Sequence, residues 1–205
     1  VKNTNNTEQL PLVPLTRAEL LTRISEQLSA SRFAHVQRVE QTAIKLAKKY
    51  GADVQRASIA GLVHDYAKQR PDQEFKRIIR QQQLDPDLLT ANNGIWHGVV
   101  GAYLVEQELG IHDTQILNAV RRHTIGAVEM TALDKIIFVA DFIEPGRDFP
   151  GIEQARAAAN ESLDAGVRFE ISNTLKFLLA KQVNIYPKTI DTYNAWVAGK
   201  SSTGK

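Results

Sequence analysis

Apolar residues recur along most of this chain at the three- and four-residue spacing of helices, and alternating strand-type runs hardly occur. The end signals agree with that period. Thr16-Arg17-Ala18-Glu19 reads as a capping box, and the helix it opens is predicted to run to about Ser29. A second helix is predicted from about Ser31 to Gly51, a glycine suited to a left-handed stop. A third is predicted from about Asp53 to Lys68, ahead of Pro71, and a fourth from about Asp72 to Gln83. Pro86 opens a short helical turn, and a fifth long helix is predicted from about Ile95 to Leu109, stopped by Gly110. Asp113 caps a helix reaching about His123, and Thr131 starts one that ends before Pro145. Two more fit about 152–163 and 167–183, and a last one about 188–198. Helices of this length joined by short loops, with no fixed repeat, predict an all-α bundle. One domain is expected over 15–198, between flexible ends at 1–14 and 199–205.

Several polar residues break the apolar pattern. Ala57, Ile59, Ala60, Gly61, Leu62 and Val63 leave the third helix almost no polar face, which marks it as central and buried. It nevertheless ends in His64-Asp65. An ionised aspartate there costs several kcal/mol, on the order of magnitude for buried charge, unless it is paired or bound to a metal. Asp141 repeats the anomaly inside the apolar run Ile136 to Ile143. His35 shares a face with Val39, Thr42 and Leu46, and His123 continues the stripe of Ile116 and Ala119 or Val120. His97 sits in Trp96-His97-Gly98-Val99-Val100-Gly101-Ala102. Any one of these has an ordinary explanation: a satisfied core histidine, or for Asp141 an ion pair with Arg121 or Arg122. Together, four histidines and two aspartates aimed at one interior require six separate structural reasons or one metal centre, and imidazole with carboxylate suits such a centre. His112, in a loop ahead of a helix cap, is given no role.

Composition narrows the chemistry further. With no cysteine among 205 residues, thiolate metal sites, disulfides and cysteine nucleophiles are excluded, so histidines and carboxylates must supply any ligands. A net charge of +2 is too balanced to argue for a nucleic-acid or membrane partner. No apolar run reaches transmembrane length, and the polar, proline-interrupted start lacks a signal-peptide core, so a cytoplasmic protein is expected. No glycine-rich phosphate loop or nucleophile elbow occurs, which leaves metals and cations to hold any phosphate.

The sequence resembles the HD-domain metal-dependent phosphohydrolases, whose signature is a histidine, a His-Asp pair and a distant aspartate, here His35, His64-Asp65 and Asp141. It is most similar to the symmetrical diadenosine tetraphosphate hydrolases of YqeK type. The matching segments are Arg32-Phe33-Ala34-His35-Val36, Ala60 to Lys68, His97 to Ala102, His123-Thr124-Ile125-Gly126 and Ala140 to Arg147.

The resemblance implies an HD-domain helical bundle with a metal site in its core. It implies one ion on His35, His64, Asp65 and Asp141, and a second on His97 and His123 with Asp65 bridging. The ions implied are divalent or trivalent, iron first, with manganese or magnesium able to substitute. The activity implied is hydrolysis of diadenosine tetraphosphate to two ADP, by attack of a metal-bridging hydroxide on phosphorus. Asp65 and Lys68 are then catalytic, and Lys68, Arg147, Thr124 and Gly126 bind the substrate. Read without the resemblance, Lys68 is equally an exposed helix-end residue, Arg147 a solvated loop arginine, and Thr124 and Gly126 plain helix-terminating residues. Two other functions stay open: an HD phosphohydrolase for mononucleotides, deoxynucleotides or cyclic nucleotides, and a non-catalytic nucleotide-sensing module. The oligomeric state is not readable from the sequence.

Overall fold

Helix-end chemistry sets the frame. In the computed structural model, which describes residues 12–199, Thr16 and Glu19 form the expected capping box and open α1, Arg17–Gln27. Ser29 caps α2, Ala30–Tyr50, which closes on Gly51 in the left-handed conformation. Asp53 caps α3, Val54–Val63, and α4 follows at Asp72–Gln81. After a 3-10 helix, Pro86–Thr90, come α5, Asn93–Val99, and α6, Gly101–Leu109. Asp113 caps α7, Thr114–Arg122, and a second capping box, Thr131 with Asp134, opens α8, Ala132–Ile143. The chain continues through α9, Ile152–Glu161, α10, Leu163–Lys181, and α11, Pro187–Trp196. The all-α reading holds among the described residues, with eleven α-helices and one 3-10 helix. The expected flexible ends fall mostly outside those residues; of the first, Val13 is buried in the core.

Three elements differ from the sequence pattern: the helix expected over 167–183 starts at Leu163, where Ser162 caps it, and two others differ more. The helix predicted over 95–109 is two helices meeting at Val100, where Tyr103 N bonds back only three residues to Val100 O at 3.0 Å. Gly98 and Gly101 flank that point, and paired glycines weaken helix continuity. The third helix ends at Val63, not Lys68. The chain then tightens into three-residue turns, Tyr66 N to Val63 O and Lys68 N to Asp65 O. His64 and Asp65 therefore lie in the tightened turn and not in the helix.

As expected from its composition, α3 lies at the centre, packed against α2, α7 and α8. Gly61 permits a close approach: a Cβ there would lie 2.8 Å from the Cα of Glu40 on α2. Glu40 itself is buried, and is matched by Arg17 at 2.6 and 2.7 Å and by Ser58 at 2.6 Å, so its charge ties α1, α2 and α3 together. A smaller apolar cluster around Phe75, Ile79, Leu88 and Trp96 seats α4 and α5. Helix α10 covers α8 and α9. No helix among the described residues is long and apolar enough to cross a membrane.

Candidate metal centre

Five elements deliver side chains to one point. His35 comes from α2, His64 and Asp65 from the turn after α3, His97 from α5, His123 from the C-terminal end of α7 and Asp141 from α8. The four histidines and Asp65 are buried, and the Asp141 side chain is 22% exposed. Asp65 divides the cluster between its two oxygens. Its Oδ2 lies 3.6 Å from His35 Nε2 and 3.7 Å from His64 Nε2, and its Oδ1 lies 3.2 Å from His97 Nε2 and 3.8 Å from His123 Nε2. Asp141 Oδ1 is 3.1 Å from His35 Nε2 and 3.9 Å from His64 Nε2.

The hydrogen bonds fix which nitrogen faces inward. His64 Nδ1 lies 2.8 Å from Gly61 O, His123 Nδ1 2.7 Å from Val120 O, and His97 Nδ1 against Asn93 O. A carbonyl oxygen only accepts, so each Nδ1 carries the hydrogen and each Nε2 keeps its lone pair. His35 Nδ1 donates to Glu144 Oε1 at 3.1 Å in the same way. Four Nε2 lone pairs are thus aimed at two carboxylates. His97 Nε2 and His123 Nε2 face each other at 3.1 Å, and the buried Nε2 atoms of His35 and His64 have no hydrogen-bond partner among the described residues. Lone pairs converging on lone pairs repel unless a cation lies between them, so this donor set fits metal ions. Ligand atoms of His35, His64 and Asp141, and separately those of His64, Asp65 and His123, lie within 4.8 Å of one another.

Protonation is already suited to ligation. Burial opposes ionisation of Asp65, but His64, His97 and Lys68 outweigh it and hold the carboxyl well below its usual range. Burial is likewise outweighed at Asp141, by His35, His64 and Arg147. Burial lowers His64, and burial with the neighbouring His64 and His97 lowers His123 to about 3.

Cations rim the cluster. Arg32 donates to Asp65 Oδ2 at 2.9 Å. Arg147 is no solvated loop residue: its Nε donates to Asp141 O at 2.8 Å and its Nη2 to Asp141 Oδ1. Lys68 is half-buried, with Nζ 3.2 Å from His97 Nε2, and burial lowers its pKa against the pull of Asp65 and Asp141. Asp141 does not pair with Arg121 or Arg122, which engage Asn118 and Asp134 instead. Thr124 and Gly126 make no hydrogen bond to the cluster side chains among the described residues. The Thr124 hydroxyl reaches only Ile95 O at 3.5 Å, and Gly126, at φ +66°, ends the turn after α7 against Thr192. His112 lies at the surface near Glu106.

Sequence reasoning passed over Glu144, buried at 1% exposure one turn after Asp141. Besides His35, it accepts from Arg38 Nε at 2.6 Å and from the Gly146 backbone. Burial raises its pKa, but Arg38, Gly146 and His35 together bring it down to about 2. A carboxylate behind a ligating imidazole fixes the ring and strengthens it as a ligand. Its signal in the sequence was an acid at the end of an apolar helix, three residues after another acid. Glu144→Gln keeps the shape and removes the charge. Metal affinity is expected to fall about 10- to 100-fold, read by competition with a chromophoric chelator; an unchanged affinity removes Glu144 from the centre.

The HD domain family pattern matches residues 32–146, a span that holds every ligand-type residue of the cluster. A symmetrical bis(5'-nucleosyl)-tetraphosphatase of Bacillus subtilis (strain 168) is 44% identical over 90% of this chain and all of its own. A protein of the same description from Staphylococcus aureus (strain NCTC 8325 / PS 47) is 42% identical over 82% of this chain and 88% of its own. A crystal structure from Clostridium acetobutylicum, of an HD superfamily hydrolase described as involved in NAD metabolism, superposes with a TM-score of 0.85 at 34% identity. It covers 89% of this chain and 97% of that one.

Proposed function

The chain belongs to the HD-domain family, and from that premise we infer that it is a symmetrical bis(5'-nucleosyl)-tetraphosphatase, hydrolysing diadenosine tetraphosphate between its central phosphates to two ADP. The observation that carries the reading is Asp65, whose two oxygens face two separate pairs of imidazole nitrogens. One carboxylate between two sets of ligands suits two ions. On this reading His35, His64, Asp65 and Asp141 hold one, and His97 and His123 the other, with Asp65 shared. Nitrogen-rich ligation favours transition metals over magnesium alone, and iron is the ion proposed, with manganese or magnesium substituting. When bound, two such ions supply an activated water and neutralise phosphoryl charge.

The protein's own side chains do the rest. Asp65 and Asp141 present ionised oxygens, and the Nδ1 bonds orient the imidazoles with Nε2 toward them. Lys68 and Arg147 stand at the cluster with donors to spare, placed to hold a tetraphosphate and to offset charge as the central anhydride breaks. Arg32 adds a third cation that the sequence reading did not single out. Thr124 and Gly126, which follow His123 in the chain, are proposed as further contacts to the substrate. The proposed setting is cytoplasmic, with a small dinucleotide as substrate and neither nucleic acid nor membrane as partner.

The test is elemental analysis of the purified protein beside a product assay with diadenosine tetraphosphate. Two ions per chain and two ADP per substrate are expected. AMP with ATP as products, or cleavage of mononucleotides with the tetraphosphate untouched, overturns the reading.

A further inference from the structure

The ends of α5 and α7 and the start of α11 enclose a second cleft, of about 360 Å³. None of the six ligand-type residues of the metal centre lines it. Val99, Ile125, Ala127 and Val128 give it an apolar wall, and Val128 is 58% exposed there. Its charged residues are Arg121, Arg122, Lys188 and Asp191.

The three cations differ in how their charge is met. Arg122 is paired with buried Asp134 at 2.5 Å, and Lys188 with Asp85 at 2.9 Å. Arg121 forms no ion pair among the described residues; its Nη1 donates to the neutral amide oxygen of Asn118 at 2.7 Å. The side chain is half-buried, and burial and the adjacent Arg122 lower its pKa against the pull of Glu106. A guanidinium has five donors and stays charged at any working pH. Arg121 therefore keeps an uncompensated charge and spare donors at the wall of a cavity.

The start of α11 adds the same polarity. Tyr186 makes no side-chain cap bond and Pro187 brings no N–H, so the positive end of the helix is left without a capping acceptor beside Lys188. In the same turn Thr189 is 1% exposed, and its Oγ1 has no hydrogen-bond partner among the described residues. Asp191 is the one acid of the wall; it is exposed, so solvent and salt screen it.

From these features we propose that this cleft is a second phosphate site, apart from the metal centre, which takes a small phosphate monoester. Arg121 grips the phosphate oxygens as a fork, and Lys188 with the first turn of α11 adds positive charge. The apolar wall receives the organic part of the ester. Such a site is independent of which phosphate bond the metal centre cleaves.

The experiment is isothermal titration calorimetry on the metal-loaded protein with phenylphosphonate, which has no ester bond to cleave, and with methylphosphonate. The wild type is expected to bind one more phenylphosphonate per chain than Arg121→Gln does, or to bind it about tenfold or more tighter at that site. Metal content, and kcat and KM for diadenosine tetraphosphate, stay unchanged in the variant. Methylphosphonate binds the site more weakly than phenylphosphonate, because it leaves the apolar wall uncovered. Asp191→Asn tightens phenylphosphonate binding about twofold, on the scale of an exposed charge; damage to the fold does not produce a gain, so this variant guards against a misfolded Arg121→Gln. The site is overturned if Arg121→Gln binds phenylphosphonate as the wild type does. It is also overturned if KM rises together with the loss of phenylphosphonate binding, since the cleft then belongs to the substrate path. Equal affinity for the two phosphonates overturns the assignment of a monoester.

Discussion

Asp65→Asn is expected to strip the protein of metal and lower turnover by at least about a thousandfold, the scale of removing a principal electrostatic element from an active site. The substitution keeps the volume of the side chain, so it opens no cavity. It removes the charge at the one position between His35 and His64 on one side and His97 and His123 on the other. An asparagine presents one acceptor oxygen where the native residue presents two. Whichever way it turns, one pair of imidazoles then meets an N–H in place of a ligand oxygen. Arg32, at 2.9 Å from Asp65 Oδ2, loses its partner as well, which adds positive charge beside a site that must attract cations. Metal per chain and kcat are the measurements, with helical content as the check on folding. Metal content near that of the wild type, with kcat within tenfold, is incompatible with a shared Asp65.

The proposed ligands were legible in the sequence because each violates its surroundings. His64-Asp65 ends the most apolar helix, Asp141 interrupts an apolar run, and His35 and His123 lie on apolar stripes, so burial follows from helical spacing alone. The helix boundaries were legible where a cap marks them, as at Thr16, Gly51, Asp113 and Thr131. The break at Val100 was not, because the apolar pattern runs through it, and Gly98 and Gly101 weaken the helix there without marking a stop. Glu144 was hidden for another reason. An acid beside a Pro-Gly loop reads as exposed, and only the folded chain brings Arg38 and His35 to it across 106 and 109 positions. Pairing of distant residues carries no signal in a single sequence, whereas a polar residue on an apolar face does.

His97→Ala separates a two-ion centre from a one-ion centre. His97 and His123 approach Asp65 Oδ1, and His35, His64 and Asp141 lie on the other side of the same carboxylate. Deleting the His97 imidazole therefore removes a ligand from one half and leaves the other half whole. The expected result is loss of one of two ions per chain, retention of the other, and a fall in turnover of about a hundredfold or more, at least the effect seen when a group supporting a metal ligand is lost. Lys68→Met is the companion variant. Its ammonium lies 3.2 Å from His97 Nε2 but is not a ligand, so the pair of ions is retained while turnover drops. The two variants differ in metal content even where their rates are similar, which distinguishes a lost ligand from a lost phosphate contact. If His97→Ala keeps both ions and full activity, the second half of the cluster is a set of packed imidazoles and the hydrolase has a mononuclear centre.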